Sequence, residues 1–282
     1  MLKIVLDGAA DLAKGWEKEF NIHLLPLRVS FGNETFTQGQ GFSHSDFYRL
    51  VKERNIIPKT SLPSPGQVTE FYRKVAHPGE SILSIHISGK LSGTLATVQS
   101  AAREMADEFK ITVFDSGGGS AVQGFMAREA RRLEQAGASI PKIVRHLEAM
   151  RDKMVVIFTV DNLQFAYMSG RINFLQNLLS MALQVKPIIV LRDGLLEMAG
   201  RVRTRKRSLE TIIEIVCSRL GNQPVNLAVI HAADLNTAQM MMEKACSLLN
   251  VRNSFINDLS IPVAANLGPG AIGIIAYPVE EE

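Results

Sequence analysis

Apolar residues in this chain alternate between short continuous runs and spacings of three and four. Residues 3–6 (KIVL), closed by Asp7-Gly8, predict a buried first strand, and residues 11–20 predict a short helix. A second strand is expected over 22–29, near an edge because Pro26 cannot donate to a ladder. Ser43 and Asp46 open a helix whose Phe47, Leu50 and Val51 share one face. Residues 65–76 read as a helix and 82–87 as a strand. After Ser92, Leu95, Val98, Ala102, Met105 and Phe109 fall on one stripe of a further helix. Residues 111–114 give a strand that runs into Asp115-Ser116 and three glycines, 120–136 a helix stopped by Gly137, and 141–150 another helix. Strand alternating with helix predicts an α/β domain over residues 1–153, with a mainly parallel sheet flanked by helices.

The texture then changes. A strand at 154–160 is followed by short helices at 162–168 and 174–183 around Ser169-Gly170-Arg171. Residues 187–191 and 195–199 flank Asp193-Gly194, a hairpin signal. A long helix at 204–220, a strand at 227–231, a helix at 235–249 and a last strand at 272–277 complete a C-terminal α+β domain, residues 154–282, with a mixed sheet. A length of 282 residues fits two such domains.

Composition narrows the partners. A net charge of +3 favours no polyanion, so no nucleic-acid partner is expected. One segment is locally basic, the RVRTRKR run at 201–207. It reads as a solvated first helical turn, unfavourable at a positive helix end and therefore open to a compensating anion. Cys217 and Cys246 lie in helical patterns and read as reduced thiols; no zinc spacing occurs. Without a leader-like segment or a run of about 20 apolar residues, a cytoplasmic, soluble protein with no stable membrane insertion is expected.

The candidate chemistry gathers at residues 60–94, which begin TSLPSPG and end LSGT. Thr60, Ser61 and Ser64 stand at one end, Ser92 and Thr94 at the other, and the strand between them returns the chain towards its start. Hydroxyls and free N–H groups at such turns suit a small anionic headgroup. Ser64-Pro65-Gly66-Gln67 also reads as a capping box. Ser92 reads equally as an N-cap and as a ligand contact, whereas Thr60 has no capping job. The GPGAIG at 268–273 matches a dinucleotide-binding turn in letters, but an apolar run starts inside it where a helix is required. Gly117 to Gly119 lack the Walker ending and read as a flexible loop, and no G-x-S-x-G is present. His86 and His231 lie on apolar strands and read as core residues; Asp11 reads as a cap for the first helix. No nucleophile, base and orienter are seen to assemble, so no catalytic residue, metal or cofactor is expected. Hydroxyls grip a carboxylate without activating anything, which is the chemistry of a binder. The alternatives are an enzyme acting on a small phosphorylated or carboxylated substrate, with Arg171 and the glycine turns as anion binders, and a regulatory subunit whose lipid is a structural plug.

The chain resembles the DegV family of bacterial fatty-acid-binding proteins, which includes the acyl-carrying subunit of fatty acid kinase. The resemblance rests on DGAADL at 7–12, Pro26-Leu27, TSLPSPG at 60–66, SIHISGKLSGT at 84–94, Asp115-Ser116, SGRIN at 169–173, VKPII at 185–189, the basic run, and NLGPGAIG at 266–273. It implies a two-domain α/β fold with a fatty acid lying between the domains. Its carboxylate would be held by Thr60 and Ser92, with Ser61, Gly93, Thr94, Arg171, Asn266 and Gly268 as further ligand-binding positions. Arg201 and Arg203 fall on the family's basic helix start, implicated in work with the kinase partner. Gly8 stands for a usual Ser, Leu62 for a usual Gln and Asn266 for a usual His, which cannot be replaced as a charge carrier by an amide.

Overall fold

The computed structural model describes residues 1–172 and 185–279. The helix expected at 174–183 lies outside the described residues. Two compact units divide the chain, Met1–Ser43 with Thr60–Asp152, and His44–Lys59 with the residues from Lys153 on.

The first half runs β1 (Lys3–Asp7), α1 (Trp16–Glu19), β2 (Ile22–Leu25), β3 (Arg28–Phe31), β4 (Glu34–Thr37), α2 (His44–Arg54), β5 (Lys59–Ser61), α3 (Pro65–Val75), β6 (Ser81–His86), α4 (Thr94–Glu104), β7 (Lys110–Asp115), α5 (Ala121–Gln135) and α6 (Ile140–Lys153). Strands β2-β1-β6-β7 form a parallel sheet, as the βαβ pattern predicts. Val68 and Tyr72 of α3 and its C-cap Ala76, with Val98 and Ala101 of α4, pack on Val5, Leu25 and Ile82 to make the core on one face. Helix α5 lies against β1 and β6. The capping box forms as read: Ser64 Oγ accepts from Gln67 N, and Gln67 Oε1 accepts from Ser64 N.

Three expectations need correction. The helix expected over 11–20 is only Trp16–Glu19, and Asp11 does not cap it: its buried carboxylate accepts a short hydrogen bond from Ser120 Oγ. The strand expected over 22–29 breaks at Pro26 into β2 and β3, which belong to different sheets; β3 pairs with β4 and β5 in a small sheet that the sequence reading lacked. Helix α2, placed by sequence in the first domain, packs with the second unit, where His44 Nε2 lies 2.8 Å from Leu259 O and Tyr48 Oη donates to Asp258 Oδ1 at 2.7 Å.

The second unit adds β8 (Val155–Thr159), α7 (Leu163–Met168), β9 (Lys186–Arg192), β10 (Leu195–Val202), α8 (Arg205–Leu220), β11 (Pro224–His231), α9 (Leu235–Leu248), β12 (Asn250–Asp258), α10 (Ile261–Leu267) and β13 (Ile272–Pro278). Among the described residues the sheet order is β10-β9-β8-β13-β11-β12, antiparallel except for β11 with β12. Asp193 and Gly194 take φ of 49° and 77°, the two left-handed positions a tight hairpin between β9 and β10 demands. Ile212, Val216, Ala238 and Met241 of α8 and α9 bury against Ile157, Val190 and Ile274. Phe158, Ile189 and Ile275 alternate with these and so form a second apolar row on the opposite sheet face. Strand β12 and helix α10 are absent from the sequence reading: NVRNSFIND is a polar edge strand, and seven residues are too few to set up a helical period.

Candidate functional site

In the parallel sheet β1 leads to β2 on one side, and the chain later returns to place β6 on the other. The topological switch point is therefore between β1 and β6, where ligands of open parallel sheets bind in the crevice beyond the carboxyl ends of the strands. The loops at that edge begin at Gly8 and at Ile87, and the second carries Ser92, Gly93 and Thr94.

That second loop is tightly held. Ile87 N donates to Asp7 Oδ2 at 2.9 Å and Ser88 N to Gly118 O at 2.7 Å; Ser88 O in turn accepts from Leu91 N and Ser92 N at 2.9 and 3.0 Å. The glycines at 117–119, expected to be flexible, are pinned as well: Gly117 N donates to Asp115 Oδ1 at 2.8 Å and Gly118 N to Ser116 Oγ at 3.3 Å. Ser92 is not the N-cap of α4; Gly93 is, and it offers no side-chain cap. Instead Ser92 Oγ lies 2.9 Å from Thr94 Oγ1 and accepts from Thr94 N at 3.2 Å. Thr94 is fully buried and serves to orient Ser92, which is half-buried. No acidic side chain occupies the first turn of α4, so the positive helix end is not compensated there.

Thr60 and Ser61 lie on β5, Thr60 half-buried and Ser61 exposed. Their segment reaches the Ser92 turn through Leu62, whose Cδ1 would stand 2.9 Å from a Cβ built on Gly93. Gly93 thus lets the two candidate segments meet. At the first loop, a Cβ on Gly8 would fall 1.8 Å from Gln38 Oε1, so the Gln38 amide fills the space of any side chain at position 8. Gln38 Nε2 donates to Gly8 O at 3.1 Å.

Behind the crevice lies a constellation that residue-by-residue reading missed. Tyr72 Oη donates to Ser84 Oγ at 2.8 Å, Ser84 Oγ lies 2.6 Å from His86 Nε2, and His86 Nδ1 lies 3.0 Å from Asp7 Oδ2. A serine, an imidazole and a carboxylate therefore do meet, contrary to expectation. All three are fully buried, and the Tyr72 hydroxyl closes off Ser84, so no substrate atom reaches the serine. Burial drives the Tyr72 hydroxyl pKa above its usual range. One signal in the sequence was usable: Ser84 and His86 alternate on one face of an otherwise apolar strand.

The remaining expected residues lie in the second unit. Arg171 is exposed and its guanidinium turns back on Ser169 O. Asn266 Nδ2 donates to Pro262 O at 2.6 Å within its own helix. Gly268 and Gly270, with φ of 80° and 81°, form a turn leading straight into β13; added Cβ atoms would meet Phe165 Cγ at 2.8 Å and Asp161 Oδ2 at 2.6 Å. Their close approach is thus to the unit's own side chains. Arg201 and Arg203 are exposed, but contrary to expectation neither lies in a first helical turn: Arg201 is on strand β10 and Arg203 precedes the Thr204 cap of α8, because the hairpin ladder continues to Val202. Within the basic run, Arg205 pairs with Asp234 at 3.0 Å and Asp161 at 3.4 Å, and Arg207 with Glu214 at 2.8 Å, so the compensating anions at those two positions are the chain's own carboxylates. Burial alone would raise Asp234, but hydrogen bonds from Thr237 and Arg205 outweigh it and hold this carboxyl below the usual range. Among the described residues no cluster of three or more His, Cys, Asp or Glu is placed to hold a metal, and no helix is long and apolar enough to cross a membrane.

Fold and site together define an α/β protein of two units whose first unit presents hydroxyls and a helix N-terminus at the switch point of a parallel sheet. A family model described as "Uncharacterised protein, DegV family" matches residues 1–279, and the chain belongs to the DegV family. It is 30% identical to Protein DegV of Bacillus subtilis over 275 residues, 97% of this chain and 98% of that one. A Thermus thermophilus DegV family protein, solved in a study of its fatty acid binding, superposes with a TM-score of 0.91 at 29% identity, covering 99% of each chain. A stearic acid-binding protein from Eubacterium ventriosum gives 0.87 at 25% identity, over 99% of this chain and 98% of that one.

Proposed function

We propose that this protein binds one long-chain fatty acid, its carboxylate held by the Thr60 and Ser92 hydroxyls and its alkyl chain taken up by apolar side chains. The observation that carries this is the Ser92 turn at the switch point of a fold shared with proteins described as fatty-acid-binding. Ser92 is already oriented by Thr94, and the uncompensated end of α4 favours negative charge beside it. A chain of around sixteen carbons gains on the order of 10 kcal/mol at about 0.8 kcal/mol per buried methylene, before association costs. That gain offsets bringing the carboxylate out of bulk water when hydroxyls pair with it.

In this reading the protein is a carrier and not a catalyst, because among the described residues the Ser92 hydroxyl is hydrogen-bonded to Thr94 and to no base, and the Ser84–His86–Asp7 set is sealed. Arg201 and Arg203 are the proposed contacts for a fatty acid kinase subunit. Arg171, Asn266 and the turn at Gly268 are secondary ligand positions. Solvent extraction of the purified protein followed by mass spectrometry tests the reading. About one fatty acid per chain is expected; a bound phosphorylated metabolite in its place, or failure of the delipidated protein to take up hexadecanoic acid, overturns it.

A further inference from the structure

We infer that Asp7 and His86 are positioning residues for the carboxylate site, acting through the buried hydrogen-bond chain that fixes the turn bearing Ser92. The inference deepens the fatty-acid reading and rests on it. Asp7 stands at the switch point, where its two oxygens serve three donors: Oδ1 accepts from Ala9 N at 2.9 Å, and Oδ2 takes Ile87 N at 2.9 Å and His86 Nδ1 at 3.0 Å. One carboxylate thereby ties the loop after β1 to the first residue of the loop after β6. From Ile87 the connection runs through Ser88, whose carbonyl receives Leu91 N and Ser92 N.

Donor order along the chain is consistent with one assignment. Tyr72 Oη–H donates to Ser84, Ser84 Oγ–H donates to His86 Nε2, and His86 Nδ1–H donates to Asp7. Every proton points towards the carboxylate, and each of these atoms is out of contact with water, so reversing one bond strands another group without a partner. The chain also joins the two segments of the site. Tyr72 is on α3, which follows Thr60 and its capping box, while Ser84 and His86 lead into the Ser92 turn. A catalytic triad with the same atoms would expose its serine; here the same order of bonds holds a loop in place.

Asp7→Asn keeps shape but puts an amide N–H against at least one of the three donors. Binding of hexadecanoic acid and hexadecan-1-ol to delipidated protein separates the outcomes, because only the acid calls on an oriented anion site. The acid affinity is expected to fall about tenfold or more while the alcohol affinity holds. Unchanged acid binding in Asp7→Asn, with Ser92→Ala weakened, overturns the positioning role alone. Unchanged acid binding in both overturns the headgroup reading beneath it. Should Asp7→Asn not fold, His86→Asn, which retains a donor near Nδ1, is compared with His86→Leu, which has none. Near-normal acid binding in the first and loss in the second supports the inference, and equal behaviour refutes it. A slowly exchanging downfield imidazole N–H proton, present in the parent protein and absent in His86→Asn, is the accompanying spectroscopic signature; its absence from the parent protein also refutes the assignment.

Discussion

Removing the Thr60 and Ser92 hydroxyls together should abolish tight acyl binding while leaving a folded protein. In the folded chain Ser92 Oγ serves Thr94 N at 3.2 Å and Thr94 Oγ1 at 2.9 Å, and Thr94 is fully buried. Losing these partners leaves buried polar groups unsatisfied, at roughly 1–2 kcal/mol. Thr60 sits half-buried on a short strand, and no side-chain hydrogen bond holds its hydroxyl among the described residues, so its truncation changes stability by no more than about 0.5 kcal/mol. Domains of this kind hold about 5–15 kcal/mol, and α4 stays anchored by Leu95, Val98 and Ala101, so the double variant folds. Binding suffers more. A hydrogen bond to a charged acceptor is worth about 1.5–3 kcal/mol, and losing two weakens a carboxylate by roughly 100-fold to 20,000-fold. Calorimetric titration of hexadecanoate into delipidated Thr60→Ala/Ser92→Ala, beside urea unfolding of the same sample, reads both quantities. Acid affinity within about threefold of the parent, in a protein that unfolds cooperatively, would refute the assignment of the head to these side chains.

Stability should also fall as the solution is acidified below about 6.5, the ordinary histidine value. Burial lowers His231, with Asp258 and Asp234 opposing and His44 reinforcing it; burial also lowers His23, helped by Lys3 and Arg131. With the folded value depressed, the unfolded chain takes up protons first, so the stabilisation is complete above the unfolded value and is lost as pH falls through the folded one. His23→Gln/His231→Gln should flatten urea midpoints between about pH 7 and 5, and an undiminished slope there would remove these two histidines as the cause. Gly273→Ala is expected to destabilise by about 2–3 kcal/mol, because its Cβ would press to 2.4 Å from Phe158 Cβ and 2.5 Å from the Ile157 carbonyl oxygen, neither able to move. Gly8→Ala meets the movable end of Gln38 at 1.8 Å and Leu27 N at 3.1 Å, so Gln38→Ala in the same chain should restore most of its thermal midpoint; no recovery would show that the Leu27 backbone is the real obstacle.

Much of this architecture is written locally. Ser64, Pro65 and Gln67 specify a helix start with their own side chains, Asp193-Gly194 specifies a hairpin because both residues tolerate left-handed φ, and the apolar runs of β1, β6 and β8 specify strands buried on both faces. The Ser92 turn was legible for a similar reason, since small polar residues after an apolar strand fall in the loop beyond it, whereas Thr60 and Ser61, expected near a turn, lie on the short strand β5. Where local chemistry was weak, reading failed. Asp11 resembles a helix cap, yet the atom that claims it, Ser120 Oγ, is more than a hundred positions away. The polar strand β12, at the end of its sheet among the described residues, carries no alternating burial pattern.

Sequence by itself thus determined where most of the strands and helices form and that candidate hydroxyls gather over residues 60–94, because periodicity, capping and turn preference act over a few residues. Tertiary structure alone decided that α2 joins the second unit, that Gln38 occupies the space above Gly8, and that Tyr72, Ser84, His86 and Asp7 form one sealed chain of hydrogen bonds. Those outcomes depend on which strands become neighbours in a sheet. The choice is made by the summed burial of many distant side chains, and no short window of residues contains it.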